Sequence, residues 1–246
     1  MSPALDETFG YADVPTDERE RRIRQLFEDI AGCYDLMNDA MSFGIHRLWK
    51  RALARTAAPA AGQRIVDLAG GTGDVARLLA APDRKVIVCD PSAGMMAVGR
   101  ARCPDMVSFI AGTAEDMPFA DASVDTVTMA FGLRNVTHLR PALAEIARVL
   151  KPGGRLLCLE FSRPMLPVRP FYDAYSFLVI PRLGAWIARQ PAAYDYLVES
   201  IRRFPDRQTL AASMRLAGFS SVTWRDFSFG IACLHVAVKP ARQEAP

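Results

Sequence analysis

In Arg64-Ile65-Val66-Asp67-Leu68-Ala69-Gly70-Gly71-Thr72-Gly73-Asp74, a short β-branched run meets a cluster of glycines and then the helical pattern of Val75 to Leu79. That order predicts a strand, a tight turn and a helix start. Glycines suit the turn because it must reach positive φ and because a ligand can approach backbone that carries no Cβ. Such a turn is a seat for a nucleotide. Downstream, Lys85-Val86-Ile87-Val88-Cys89-Asp90 reads as a second buried strand ending in a carboxylate, where a doubly wound sheet offers an acid to ribose hydroxyls.

Gly71-Thr72-Gly73-Asp74-Val75-Ala76 also fits the G-x-G-x-x-A form of the dinucleotide fingerprint, a weak signal when it stands alone. On that match alone an NAD-dependent oxidoreductase stays open, as does a glycine turn that only closes a strand–helix corner. Three further features favour S-adenosyl-L-methionine. Asp67 lies two residues before the turn, where a carboxylate can brace the loop and receive the cofactor's ammonium. After a third strand, Met106 to Ala111, the polar turn Thr113-Ala114-Glu115-Asp116-Met117-Pro118-Phe119 suits an adenine edge. After a fourth strand and a helix, Leu150-Lys151-Pro152-Gly153-Gly154-Arg155 resembles the turn that leads into strand five of class I methyltransferases.

A chain of 246 residues, half of them hydrophobic, can bury a large core and suits one α/β domain with an appendage. Thirty basic against 27 acidic side chains is too even a balance to predict nucleic-acid binding. Cys33, Cys89, Cys103, Cys158 and Cys233 show no C-x-x-C spacing, so free thiols in a reducing compartment are expected. With His46, His138 and His235 far apart, no metal site is legible. The N-terminus has no basic region followed by an apolar core, so a cytoplasmic protein is expected. From Thr16, read as an N-cap, Ile23, Leu26, Phe27 and Ile30 recur at helical spacing on one face. From Tyr34 to Lys50, mobile, aromatic and hydrogen-bonding residues mix at no single period, which suits either the wall of a pocket or a cap on the sheet edge.

Phe9-Gly10-Tyr11, Tyr34-Asp35-Leu36-Met37-Asn38-Asp39, Met41-Ser42-Phe43-Gly44-Ile45-His46-Arg47-Leu48-Trp49-Lys50, the Asp67–Asp74 loop and Phe131-Gly132-Leu133-Arg134-Asn135-Val136 together closely resemble the UbiE family of ubiquinone/menaquinone biosynthesis C-methyltransferases. The resemblance runs from about Phe9 to Val238, and Ala69 in place of a more common glycine is typical of it. It implies an α/β fold: a Rossmann-like, seven-stranded class I methyltransferase sheet with helices on both faces. It also implies C-methylation of a polyprenylated quinol, a 2-methoxy-6-polyprenyl-1,4-benzoquinol and/or demethylmenaquinol, with S-adenosyl-L-methionine as cofactor. Thr72, between Gly71 and Gly73, and Asp90 match the family's cofactor contacts. Thr113-Ala114 stands where the family usually has Asn-Ala, and Ala130 where a serine is common.

The expected domains are a helical cap over 1–60, the cofactor half of the core over 61–162, a helical lid over 163–205, the rest of the core over 206–240 and a frayed tail over 241–246. Prolines from Arg163 to Pro170 bar continuous helix, and Pro181 and Arg182 interrupt an apolar run that falls short of the roughly 20 residues a membrane span needs. Seven arginines against four acidic residues from Arg163 to Arg207 suit a solvated lid, or one that touches anionic lipid while apolar side chains meet a polyprenyl tail. The expected partners are that quinol, an anionic membrane surface on the inner face and other quinone-synthesis enzymes; nucleic acid is not expected, and a homo-oligomer is left open.

The chemistry attaches methyl to a ring carbon made nucleophilic by a polarised hydroxyl. By the resemblance, Arg134 and Asn135 face the cofactor side. Arg134, permanently charged, is assigned to stabilising phenolate, with an ion pair bracing the loop as the structural alternative. His46 and Tyr175 are secondary candidates for the ring oxygens. A scaffold that binds cofactor without turnover is the non-enzymatic alternative.

Overall fold

The computed structural model describes residues 8–9, 12–178 and 191–241. Gly10 and Tyr11 of the resemblance, Pro181 and Arg182 of the interrupted run, and residues 242–246 of the tail lie outside the described residues. Seven strands form one sheet: β1 Arg64–Leu68, β2 Lys85–Asp90, β3 Val107–Ala111, β4 Val124–Ala130, β5 Leu150–Phe161, β6 Ser221–Phe227 and β7 Ala232–Val238. Their order is β3-β2-β1-β4-β5-β7-β6; β1 to β5 run parallel, and β7 is antiparallel to both neighbours. The strand order reverses between β1 and β4, and a crevice opens there beyond the carboxyl ends of the strands.

The expected α/β fold with seven strands is the one observed. Strands buried on both faces read as continuous apolar runs. In β1, Ile65 joins a core with Trp49, Leu53, Val75, Leu79 and Leu234, whereas Val66 joins a second one with Leu143, Ile146, Met214 and Phe219. β5 is longer than its sequence suggests, because Leu150 pairs with Val124 before the Pro152-Gly153-Gly154 turn bulges out and pairing resumes at Arg155 opposite Thr126.

Three helices precede the sheet: α1 Thr16–Ile30, α2 Tyr34–Ser42 and α3 Ile45–Ala57. Pro15, not Thr16, caps α1, its carbonyl accepting the N–H groups of Glu18 and Arg19 at 3.0 and 2.9 Å. The mixed stretch after it is two helices, broken where Phe43 and Gly44 turn left-handed at φ 50° and 73°. α3 buries His46, Trp49, Lys50, Leu53 and Ala57, an i, i+3, i+4 face that includes two ionisable groups. Two short helices alternate with the first strands, α4 Asp74–Leu79 and α5 Ala93–Arg102, and α6 Leu139–Val149 leads into β5. The insertion after β5 carries α7 Arg169–Leu178 and α8 Pro191–Arg203, and α9 Arg207–Leu216, capped by Asp206, returns the chain to the sheet.

Candidate active site

A cavity of about 310 Å³ lies at the switch point, bounded by the loops after β1, β2, β3 and β4 and roofed by α1. That is within the roughly 300–1,000 Å³ of small-molecule sites. The β1 loop lines it with residues 67–72, and Gly71 takes the left-handed φ of +52° that favours glycine; a Cβ there would also lie 2.8 Å from Met95 Cε, the movable end of that side chain. Gly73 shapes the same turn without lining the cavity. Asp67 is buried; its Oδ2 accepts the Ala76 N–H at 3.0 Å and its Oδ1 the Thr128 hydroxyl at 2.8 Å, so it ties the loop to α4 and β4. Burial pushes its carboxyl up to about 7 against those two hydrogen bonds.

Asp90 ends β2 with its carboxylate buried and held only by backbone: Oδ2 accepts from Gly71 N and Oδ1 from Ser92 N, both at 2.8 Å. Burial raises it to about 6 despite those donors. Each oxygen keeps a free lone pair, which two adjacent ribose hydroxyls would fill. Thr72 lines the cavity and gives its hydroxyl to Asp35 Oδ1 at 3.0 Å, while Asp35 also pairs with Arg102, so α2 is fastened to the glycine turn. Thr113 and Ala114 line the far wall, with Thr113 Oγ1 accepting the Asp116 N–H at 3.1 Å to close the turn. Ala130 lines the cavity without a polar side chain. The cavity therefore fits a nucleoside: a glycine turn open to backbone approach, a buried carboxylate with spare acceptors and a small polar turn.

Sequence reasoning brought these residues together but missed the roof. Glu20, Ile23, Arg24 and Phe27 of α1 line the cavity. Glu20 accepts the Thr137 hydroxyl at 2.8 Å and Glu28 the Ser92 hydroxyl at 3.0 Å, so α1 is latched to the loops beneath it. Lys50 and Asp74, paired at 2.8 Å, line it as well. The signal for Lys50 was its position: a lysine on the buried face of α3, one turn from His46.

The proposed catalytic and substrate residues divide. Asn135 lines the cavity; its Oδ1 accepts the Tyr196 hydroxyl of α8 at 3.0 Å and its Nδ2 donates to the Phe131 carbonyl at 3.5 Å. Arg134 does not line it. Its Nη1 donates to the Phe131 carbonyl at 2.7 Å and to both Glu160 oxygens at 3.1 Å, with both side chains buried. Phe131 sits at φ +60°, a conformation that costs a non-glycine residue about 1–3 kcal/mol and persists only where neighbours hold it. The guanidinium is thus directed to bracing the loop, away from the place expected for a phenolate. Behind that loop Gly132 faces Ala69, itself at φ +49°; a Cβ at 132 would lie 2.7 Å from the Ala69 methyl.

His46 and Tyr175 are likewise outside the lining. His46 Nε2 meets Asp39 Oδ1 at 2.8 Å beneath α2, and burial, with the Lys50 cation, lowers its pKa. Tyr175 gives its hydroxyl to the Met41 carbonyl at 2.9 Å and packs on Phe43 with ring centroids 5.9 Å apart. His46 thus joins two helices of the cap, and Tyr175 joins α7 of the insertion to α2. Among the described residues no group of three or more His, Cys, Asp or Glu could hold a metal ion.

The profile of the ubiE/COQ5 methyltransferase family matches residues 15–239. A ubiquinone/menaquinone biosynthesis C-methyltransferase UbiE of Rubrivivax gelatinosus is 64% identical over 237 residues, covering 96% of this chain and 94% of the relative. The protein of that name from Acidiphilium cryptum is 46% identical over 244 residues, covering 96% and 98%. Among solved structures, a SAM-dependent methyltransferase from Thermotoga maritima superposes with a TM-score of 0.65 at 22% identity, over 88% of this chain and 99% of that one. Phosphoethanolamine N-methyltransferase 2 of Haemonchus contortus, in complex with S-adenosyl-L-methionine, gives 0.58 at 17% identity over 78% and 52%. These two share the fold.

Proposed function

The chain belongs to the ubiE/COQ5 methyltransferase family, and from that premise we propose that it methylates a ring carbon of a polyprenylated quinol in ubiquinone and/or menaquinone biosynthesis. When bound, S-adenosyl-L-methionine supplies a methyl group on a sulfonium, open to attack by an electron-rich carbon. The observation that carries the reading is Asp90: a buried carboxylate with two spare acceptor positions, fixed by the amides of the glycine turn and of the loop before α5. In this reading Asp90 accepts from the ribose, Thr113 and Ala114 meet the adenine through their turn, and Ala130 contributes backbone only.

Asn135 is the group we assign to the ring hydroxyl. Its oxygen is taken by Tyr196, so a side-chain N–H is what it offers the cavity, and a preorganised donor there stabilises charge developing on the oxygen. Arg134 acts through position, holding Phe131 in its left-handed conformation and so fixing the turn from which Asn135 projects.

Support for delivery from a bilayer comes from the surface beside α7. Phe43, Leu166, Phe171 and Phe229 are each at least two-thirds exposed. Phe43 packs on Tyr175, and the Met165 N–H donates to the Phe229 carbonyl at 2.9 Å, which brings these segments next to one another. Exposed apolar groups beside exposed arginines such as Arg169 suit an anionic interface. Among the described residues no helix is long and apolar enough to cross a membrane.

The test is methyl transfer from S-adenosyl-L-methionine to 2-methoxy-6-polyprenyl-1,4-benzoquinol or demethylmenaquinol carried in vesicles, with and without anionic lipid, at low and high salt. Product one methyl heavier on carbon, formed faster with anionic lipid at low salt, is expected. Failure with both quinols rejects the function; a rate indifferent to lipid charge and salt rejects the membrane reading alone.

A further inference from the structure

The loop from Phe131 to His138 carries Asn135 to the cavity wall, and side chains fix it at both ends. At the first, Arg134 donates to the Phe131 carbonyl at 2.7 Å. At the second, Glu115 reaches across from the turn after β3, its Oε1 accepting the Thr137 N–H at 2.6 Å and the His138 N–H at 3.0 Å. We propose that Glu115 is a positioning residue for Asn135: it holds the outgoing half of this loop so that the Asn135 side-chain N–H meets the ring hydroxyl. The inference rests on the assignment of Asn135 to that hydroxyl.

Backbone holds only the first half of the loop. The Asn135 and Val136 N–H groups close back on the Gly132 and Leu133 carbonyls at 3.0 and 3.3 Å, but the amides of Thr137 and His138 lie ahead of the first turn of α6, where no helix carbonyl can accept them. His138 makes no capping bond with its own side chain. A carboxylate there accepts two charge-assisted bonds and faces the positive end of the helix dipole. Helix capping alone would not require a place in the cavity, yet Glu115 lines it beside Asn135, Thr137 and Glu20, whose carboxylate takes the Thr137 hydroxyl at 2.8 Å. Arg24, one turn along α1, lines it too, and among the described residues it bonds to neither carboxylate, so the charge of Glu115 is directed to the loop amides. Val136 and Thr137 are buried, so a shift at this end is passed along the chain to Asn135. Glu145 gives a comparison within the fold: it ties the same two elements, from α6 to the Met117 N–H at 2.9 Å, but does not line the cavity. The turn after β3 also closes on itself, Thr113 Oγ1 accepting the Asp116 N–H at 3.1 Å and the Asp116 carbonyl the Thr113 N–H at 3.3 Å, so its shape does not depend on the Glu115 side chain.

The test pairs steady-state methyl transfer to the quinol with calorimetric binding of S-adenosylhomocysteine, each at temperatures well below the variant's melting transition. Glu115→Ala should lower kcat roughly tenfold to a hundredfold, the scale of a group displaced by up to an ångström near the reacting atoms, and leave S-adenosylhomocysteine affinity within about twofold. Glu115→Gln, whose carbonyl can accept both amides, should recover most of kcat, and Glu115→Asp, shorter by one methylene, much less. Glu145→Ala should lower the melting temperature and keep kcat. Wild-type kcat in Glu115→Ala, or an equal fall in Glu145→Ala, overturns the inference. So does a Glu115→Gln form as slow as Glu115→Asp, which decides the matter should the alanine variant not fold. If wild type transfers no methyl to either quinol, the proposed function itself fails.

Discussion

Two ion pairs, one buried and one half-buried, flank the loops that shape the cavity, and they differ in what they present to it. Arg134–Glu160 is sealed: both side chains are buried, neither lines the cavity, and Nη1 serves the Phe131 carbonyl and Glu160, while the buried Nε has no partner among the described residues. Lys50–Asp74 is open: both residues line the cavity and keep hydrogen-bonding capacity toward it. A charge serves chemistry in a site only if it reaches that site with hydrogen-bonding capacity to spare. Arg134 does not reach the cavity and its charge is directed to the Phe131 turn, whereas Lys50 does reach it.

The largest effect should come from breaking the sealed pair. Arg134→Ala leaves Glu160, whose carboxyl burial already raises, without a partner, and removing one member of such a pair costs about 3–5 kcal/mol. Urea unfolding should show that loss, and Arg134→Met combined with Glu160→Leu should recover most of it. If Arg134→Ala instead keeps wild-type stability while kcat falls by roughly 10²–10³, the scale of a lost oxyanion donor, the arginine is catalytic and the contrast between the pairs collapses.

Between the two pairs stands Asp90, a buried carboxylate held by backbone N–H groups alone. Asp90→Asn should weaken S-adenosylhomocysteine binding by about 1.5–3 kcal/mol, and should also lower the melting temperature, because a carboxamide accepts from only one of the Gly71 and Ser92 N–H groups. The sign of its pH dependence follows from its titration. Its pKa in the unliganded fold is raised to about 6, and ribose donors favour the ionised form, so affinity is complete above pH 6 and is lost as the pH falls through it, by at most about 1.4 kcal/mol per unit. The same shift makes the unliganded fold gain stability from this group as the pH drops from 6 toward 3.8. Asp67, raised to about 7, titrates nearby, so the Asp90 contribution is the part of the profile that Asp90→Asn flattens. A profile identical in wild type and variant would remove Asp90 from the site.

The floor of this site was legible and its roof was not, for a physical reason. Strand and glycine turn are contiguous in sequence, the next strand ends in its carboxylate, and each imposes its own geometry, so Asp67, Gly71 and Asp90 could be placed from local pattern and Thr72 from the family resemblance. The roof depends on distant pairings: Glu20 with Thr137, Glu28 with Ser92, Asp35 with Thr72. Residue type did not distinguish uses either. Arg134, His46 and Tyr175 have the groups a quinol would need, yet each meets a partner of the chain itself in Glu160, Asp39 and the Met41 carbonyl. The antiparallel β7 and the bulge that lengthens β5 are set by tertiary pairing, which no single segment encodes.

The smallest effect sharpens the comparison at one atom. Arg134 and Asn135 donate to the same Phe131 carbonyl, but only Asn135 lines the cavity, and Tyr196 of α8 holds its Oδ1. Tyr196→Phe removes that hydroxyl from a buried position and leaves the carboxamide held only by its 3.5 Å bond to the Phe131 carbonyl, so that it can rotate and present oxygen where the ring hydroxyl needs an N–H. The net worth of one neutral hydrogen bond is about 0.5–1.5 kcal/mol, so kcat should fall roughly two- to tenfold. S-adenosylhomocysteine affinity should hold, because Asp90 and the glycine turn are untouched. A purely structural tyrosine would lower the melting temperature and leave kcat at temperatures well below the transition unchanged. If Tyr196→Phe does only that, Asn135 is oriented by the Phe131 carbonyl alone, and α8 has no part in the chemistry.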